Sequence, residues 1–574
     1  MNKMINAPRN KKLILDDKYF QYFLVTFFSL FYGLLCFFPD FFQKNFYEDA
    51  KNVYFSFNDS QYAWNNDEVI YGSNIRRVLD FFYSGSILDN EPSLIQYTSF
   101  NIQFVPYIAA GSLSFLIGGI DNFFYFKNLF FPIIGFFLSF LILKQLFKSF
   151  FFSLFGALIF YSPLFSLTNI FNLNSSFLKV PTGLSSLALK FPSNQFTIIF
   201  YFLGVISILK ILDNRNYTLL LIFSLVVSAY SYIFSFVSLG FIVFFTFICA
   251  VIKNLESKKN LFIAGAISLV LSIPVIYFSI FQNFKDDLLI AIAFTKSQNF
   301  DIVPYAYKTL IMILLCFIFS KINKKKYENI SLLIIAQALP LTIFYYLSYH
   351  FFVLPEPQHF FVNYHFSKIL IILLVLHWAI NFLKKENYKV AAKIFNLCLL
   401  SVTFIFLMNL SLYQIKIAKL KYDMKPKEAK ILIDWIKQNT PSKSVILTLD
   451  PFLLSTIPTL TGRYNFIPSL KSLNPTSVNA PTISLSKAKI ILGLNSEFNN
   501  YVNSSCTNKI KIEGQYLAFR TNIIHSTNAQ KKEERNSTLC EYAYHSYYKI
   551  DKGSYHYKKF KNLIPQEIDV PDKN

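Results

Sequence analysis

Acidic side chains are scarce where the sequence is most apolar. The chain has 33 Asp and Glu against 55 Lys and Arg, and between residues 194 and 413 no acid falls inside the core of an apolar run. Ion-coupled transporters place ionisable groups within the membrane, so this absence argues against one. The signatures of several enzyme classes are missing too. There is no HExxH, no CxxC, no Gly-rich phosphate loop and no nucleophile elbow, which argues against zincins, thiol–disulfide enzymes, P-loop proteins and α/β-hydrolases. Six cysteines form no metal-ligand spacing. Cys36, Cys249, Cys316 and Cys398 stand singly in apolar runs and read as small core residues. Cys506 and Cys540 lie in a polar tail and can pair if that tail faces an oxidising compartment.

What fills the chain is hydrocarbon. Of 574 residues, 53% are hydrophobic and only 15% charged, with 68 Phe and 36 Tyr, so a soluble domain with a single core is excluded. Apolar runs of about 20 residues recur, each long enough for a bilayer core of roughly 30 Å. The expected fold class is therefore an all-α polytopic membrane protein. Spans are expected near 19–38, 126–147, 149–168, 194–212, 217–236, 237–253, 261–283, 309–320, 330–352, 366–383 and 390–413. Residues 19–38 are too long for a signal-peptide core and lack a following small-residue cleavage site, so a retained span is expected. The formal charge of +22 does not point to nucleic acid. The cations gather in short loops between spans and in the tail, as the positive-inside rule requires.

Those cations set the topology. Lys3, Arg9, Lys11, Lys12 and Lys18 place the N-terminal tail, residues 1–18, in the cytoplasm. The later clusters Lys144/Lys148, Lys210/Arg215, Lys253/Lys258/Lys259, Lys321/Lys324/Lys325/Lys326 and Lys384/Lys385/Lys389 all fall inside only if residues 104–120 do not cross. That segment, FVPYIAAGSLSFLIGGI, is short and carries Pro106 and three glycines, so a re-entrant or interfacial piece is expected. The count is then about 11 membrane spans in a region 19–413, with the first outer loop at about 39–103. Residues 414–574 form a C-terminal extracytoplasmic domain. PKEAKILIDWIKQNT has a helix pattern there, and VILTLD and SKAKIILGL read as strands, so a small α/β domain is expected.

The first loop holds the most suggestive chemistry. In SQYAWNNDEVIYGSNIRRVLD, Asn65 or Asn66 can cap a helix starting at Asp67. Tyr71, Ile75, Val78 and Phe82 make one apolar stripe, with Arg76, Arg77 and Asp80 off it, so an interfacial helix lying on the membrane is expected. Asp67 and Glu68 then sit at a helix N-terminus, where carboxylates are favoured by about 0.3–1 kcal/mol for structural reasons alone. The functional alternative is a general base. A span, an outer loop opening with an acid before an amphipathic helix, many further spans and an outer C-terminal domain together resemble the GT-C class of membrane glycosyltransferases. The proline-bearing stretch SLIQYTSFNIQFVPYIAAGSL stands where that class has a juxtamembrane segment.

The resemblance implies sugar transfer from a polyprenyl-phosphate donor, with Asp67 or Glu68 as the catalytic acid-loop residue. It implies a glycan, lipid or protein acceptor, membrane lipids around the donor tail, and a place in a bacterial inner membrane. Many members carry a second acid in the next outer loop, whereas residues 169–193 have no Asp or Glu. Candidate substrate-binding residues are Arg76 and Arg77, Lys190 in LKFPSNQF, and Glu356, His359 and His365 in LPEPQHFFVNYHFSK, which also holds Lys368. Their structural counterparts are an ordinary snorkelling lysine and solvated loop charges. Glu48, Asp49, Asp59, Asp286, Asp287 and Asp301 are further outer acids, and Tyr230 and Tyr232 sit at the outer end of a span. His359 and His365 do not have metal-site spacing, so no cofactor is named and any divalent cation lacks a visible motif. Two other functions compete: a lipid or glycan flippase, and a non-catalytic scaffold presenting the outer domain.

Overall fold

A computed structural model describes residues 18–46, 67–84, 104–161, 195–277, 303–322, 324–351 and 361–385, with scattered helical and strand residues between 390 and 519. Helices dominate. Five of them, covering Tyr19–Phe42, Ile120–Phe147, Ile233–Ile252, Ser257–Tyr277 and Phe366–Leu383, are long and apolar enough to cross a membrane. The chain is an integral membrane protein by that measure.

In order, the helices are α1 (Lys18–Phe46), α2 (Asp67–Ser84), α3 (Phe104–Leu116), α4 (Ile120–Phe147), α5 (Phe150–Tyr161) and α6 (Thr197–Leu212). They continue as α7 (Thr218–Ala229), α8 (Ile233–Ile252), α9 (Ser257–Tyr277), α10 (Val303–Ile322), α11 (Lys324–Phe351) and α12 (Phe361–Lys385). Several bounds differ from the sequence reading for local reasons. Helix α1 runs through Pro39 to Phe46 rather than stopping at residue 38. In its last turns Asp40 is buried and Asn45 Nδ2 donates to the Phe41 carbonyl at 2.7 Å. Helix α4 begins at Ile120, six residues early, with Asp121 in its first turn facing the positive end of the helix dipole. The turn before it uses Gly118 at φ 83 and Gly119 at φ 137, both open to glycine and strained for other residues. The break expected between residues 236 and 237 falls instead at Tyr230–Tyr232, leaving α7 with 12 residues. At 1.5 Å per residue that is about 18 Å, short of a bilayer core.

By contact, the chain falls into two units, Met1–Pro39 with Asn128–Ile417, and Asp40–Lys127 with Ala418–Asn574. The first is a helical bundle. In it α6 packs on α7, α7 on α9, α8 on α6, α7, α9 and α11, α10 on α11, and α12 on α5, α10 and α11. Phe160, Phe202 and Phe366 join α5, α6 and α12, with ring centroids 4.9–5.6 Å apart. Helix α9 is turned as a lipid-facing helix should be. Leu261, Ala264, Ser268, Ser272 and Val275 recur at helical spacing and are buried, while Phe262, Leu269, Val270 and Ile273 point outward. With apolar lipid outside, small residues inside allow the close packing that holds membrane helices together.

The second unit contains α2, α3 and a parallel sheet. Its strands are β1 (Val445–Thr448), β2 (Tyr464–Asn465), β3 (Ile490–Leu492) and β4 (Leu517–Phe519), ordered β2-β1-β3-β4. β1 lies within VILTLD and β3 within SKAKIILGL. Every neighbouring pair is parallel, so each connection must cross over, and the chain between β1 and β2 includes a helical turn at Ile457 and Thr459–Thr461. Ile433 and Ile436, in the expected tail helix, are buried.

Candidate active site

Helix α2 opens at Asp67, so Asp67 and Glu68 occupy its first turn. The middle of its apolar stripe is covered by protein rather than by lipid alone. Ile75, Val78 and Leu79 are buried and α2 packs on α3. The two helices approach so closely at Gly111 that an added Cβ would stand 2.6 Å from Val78. Phe82, at the outer end of the stripe, is exposed and stacks on Phe115 at 5.3 Å.

A second stripe of α2 meets the turn between β1 and β2. Gly72, Arg76 and Asp80 recur every four residues, on one ridge of the helix. A Cβ added at Gly72 would stand 2.6 Å from the Thr459 methyl and 3.3 Å from its Cβ. Arg76 Nε donates to Asp80 Oδ1 at 2.7 Å, and Arg76 Nη1 donates to the Leu460 carbonyl at 3.3 Å. Gly462, at φ 68, brings its backbone beside Asp80 and Arg76, where a Cβ would stand 2.9 Å from Asp80 Oδ2. The turn is fully buried at Ile457, Thr459, Leu460 and Thr461, and Thr461 Oγ1 donates to the Ile457 carbonyl at 2.7 Å. The Arg76–Asp80 pair is about one-fifth exposed on each side. A half-buried, two-pronged arginine contact orients its partners more than a surface ion pair does.

Of the remaining sequence candidates, two fall on described helices. Arg77 is on α2 and His365 on α12. Lys190, Glu356 and His359, the outer acids Glu48, Asp49, Asp59, Asp286, Asp287 and Asp301, and the pair Cys506 and Cys540 lie outside the described residues. On α12, Lys368 stands 4.8 Å over the Tyr364 ring, one turn away. Tyr230 and Tyr232 bracket the α7–α8 break, and the Tyr230 hydroxyl donates to the Leu271 carbonyl of α9 at 2.9 Å. Among the described residues no three His, Cys, Asp or Glu converge to hold a metal.

Sequence reasoning passed over several buried polar groups. Asp40 and Lys127 are each about 1% exposed, and near them in sequence Lys44 stands 4.0 Å over the Tyr125 ring. Their signal was present as charges at the ends of apolar runs, but the runs were read for length alone. His377 is buried among the rings of Phe147, Phe152 and Tyr327, 5.1–6.1 Å away. Gln337 in α11 is fully buried, with no partner for its amide among the described residues, and Asn74 Nδ2 in α2 is in the same condition. No protein-family model matches the chain, and no curated protein matches it in sequence.

Proposed function

We propose that the chain is a membrane glycosyltransferase that moves a sugar from a polyprenyl-phosphate donor to an acceptor hydroxyl on the extracytoplasmic face. The observation that carries this reading is the acidic start of α2, a helix gripped on one stripe by α3 and on another by the tail. A general base must be held in place to reach a hydroxyl, and a rigid helix end is a suitable mount. Asp67 or Glu68 takes the acceptor proton as the acceptor oxygen forms its bond to the anomeric carbon. The bond from that carbon to the donor phosphate oxygen breaks with inversion, and the lipid phosphate leaves as an anion. Arg77 and Lys190 are the proposed phosphate contacts, since developing negative charge needs fixed cations. Glu356, His359 and His365 are proposed at the sugar or pyrophosphate end, beside Lys368.

The proposed topology has about 11 spans, an interfacial 104–120 and an α/β outer tail. Grouping of residues 40–127 and 418–574 in one unit supports it. A unit built from both segments fits an even number of crossings between them, as the proposed topology has. A cysteine at Lys325, in an otherwise cysteine-free chain, is expected to resist a membrane-impermeant thiol reagent. One at Asn500 is expected to react. The reverse pattern would sink the outer-face site. The function itself is tested by incubating purified protein with a radiolabelled polyprenyl-phosphate sugar and an acceptor extract. Label should move to the acceptor; label that crosses vesicles unchanged would indicate a flippase instead.

A further inference from the structure

The contact between α2 and the β1–β2 turn does more than bury surface. We propose that Arg76, Asp80 and the Thr459–Gly462 turn form a latch that sets the position of the acidic end of α2, which makes Arg76 and Asp80 positioning residues rather than phosphate ligands. The consequence for catalysis rests on the transferase reading; the latch itself does not.

Three features on one ridge specify the contact. Gly72 admits Thr459 where any side chain would collide, Arg76 bridges Asp80 and the Leu460 carbonyl, and Gly462 presents bare backbone to the Asp80 carboxylate. Each alone is modest. Together they fix the rotation and tilt of α2 against a turn that is itself buried at Thr459, Leu460 and Thr461. Arg76 stands nine residues after Asp67, about 13 Å along the helix axis. A tilt of roughly 10° at the latch would therefore shift the acidic end by about 2 Å, and misplacement of about 1 Å can cost on the order of 100-fold in rate. Nε and Nη1 of Arg76 are engaged in this contact, which fixes the plane of its guanidinium.

The geometry supplies its own test. The Cβ of a residue at 72 would stand 3.3 Å from the Thr459 Cβ, a few tenths of an ångström under the usual disulfide range of about 3.5–4.5 Å. Gly72→Cys with Thr459→Cys, in full-length membrane-embedded protein whose native cysteines are replaced, is expected to crosslink under mild oxidation. No crosslink in folded protein overturns the latch. Arg76→Ala is expected to lower kcat by about 10–100-fold with little change in donor KM, and oxidation of the 72–459 pair in that background should restore most of kcat. A raised donor KM that the crosslink does not rescue would make Arg76 a substrate ligand and overturn the positioning role. A wild type with no transfer activity removes that role together with the transferase reading, while the crosslink yield still decides the contact.

Discussion

Asp67→Asn is expected to lower sugar-transfer turnover by at least about 100-fold, the usual scale for losing a general base. The fold should survive. Asn is nearly isosteric with Asp and is accepted at helix N-termini, so the structural cost is bounded by the charge–dipole contribution of about 0.3–1 kcal/mol. Donor KM should stay close to wild type, because the lost interaction belongs to the acceptor proton in the transition state. Glu68→Gln should cost much less if Asp67 is the base, and the order should invert if Glu68 is. Arg77→Ala makes a useful contrast. As a phosphate contact it should raise donor KM more than it lowers kcat. Expression and thermal stability of each variant must match wild type for the comparison to hold. Full activity in Asp67→Asn/Glu68→Gln would leave the acidic pair as a helix-end stabiliser and no more.

The second large effect is structural. Gly33→Leu should strip the bundle of stability, seen as a lowered thermal midpoint or loss of the monodisperse peak in detergent. A Cβ at Gly33 in α1 would collide with the Ile133 side chain and stand 2.8 Å from the Leu129 carbonyl oxygen, both on α4. A side chain can swing away; a helix carbonyl cannot without moving the helix. Overpacking of this kind costs about 1–3 kcal/mol, and more when backbone must shift. Separation of α1 and α4 would also open the neighbouring Tyr32–Phe136 stack, 5.5 Å between centroids. Gly240→Leu in α8 is the control, since nothing lies within 4 Å of a Cβ there. Equal behaviour of the two variants would rule out the close approach of α1 and α4.

The same two helices mark how far the sequence could be read. Apolar length located α1, α4, α8, α9 and α12, because a bilayer imposes its thickness on the composition of what crosses it. The start of α2 was legible from its cap and charge pattern. What covers the α2 stripe was not. Ile75 and Val78 declare an apolar face, and nothing local distinguishes lipid from a neighbouring helix such as α3. The break at Tyr230–Tyr232 was misplaced because SAYSYIFSF contains neither Gly nor Pro; Tyr230 hydrogen-bonds to the Leu271 carbonyl beside it, a tertiary contact outside any window. Arg76 illustrates the limit most directly. Its charge suggested phosphate; what the sequence does not show is that it also bonds to Asp80, four residues on, and to Leu460, which no periodicity connects to α2.

That last separation also has a consequence in time. Arg76 and Leu460 are 384 residues apart. At synthesis rates of about 5–20 residues per second, α2 leaves the ribosome roughly 20–80 s before its partner turn exists. During that interval the Gly72–Arg76–Asp80 ridge has no tail to receive it, and α3 alone shields the other stripe. The ridge of α2 thus stays open until the turn between β1 and β2 has been made. A truncation anywhere before Leu460 removes the partner of that ridge, so a fragment that retains every membrane-spanning helix should show a lower thermal midpoint in detergent than the full chain.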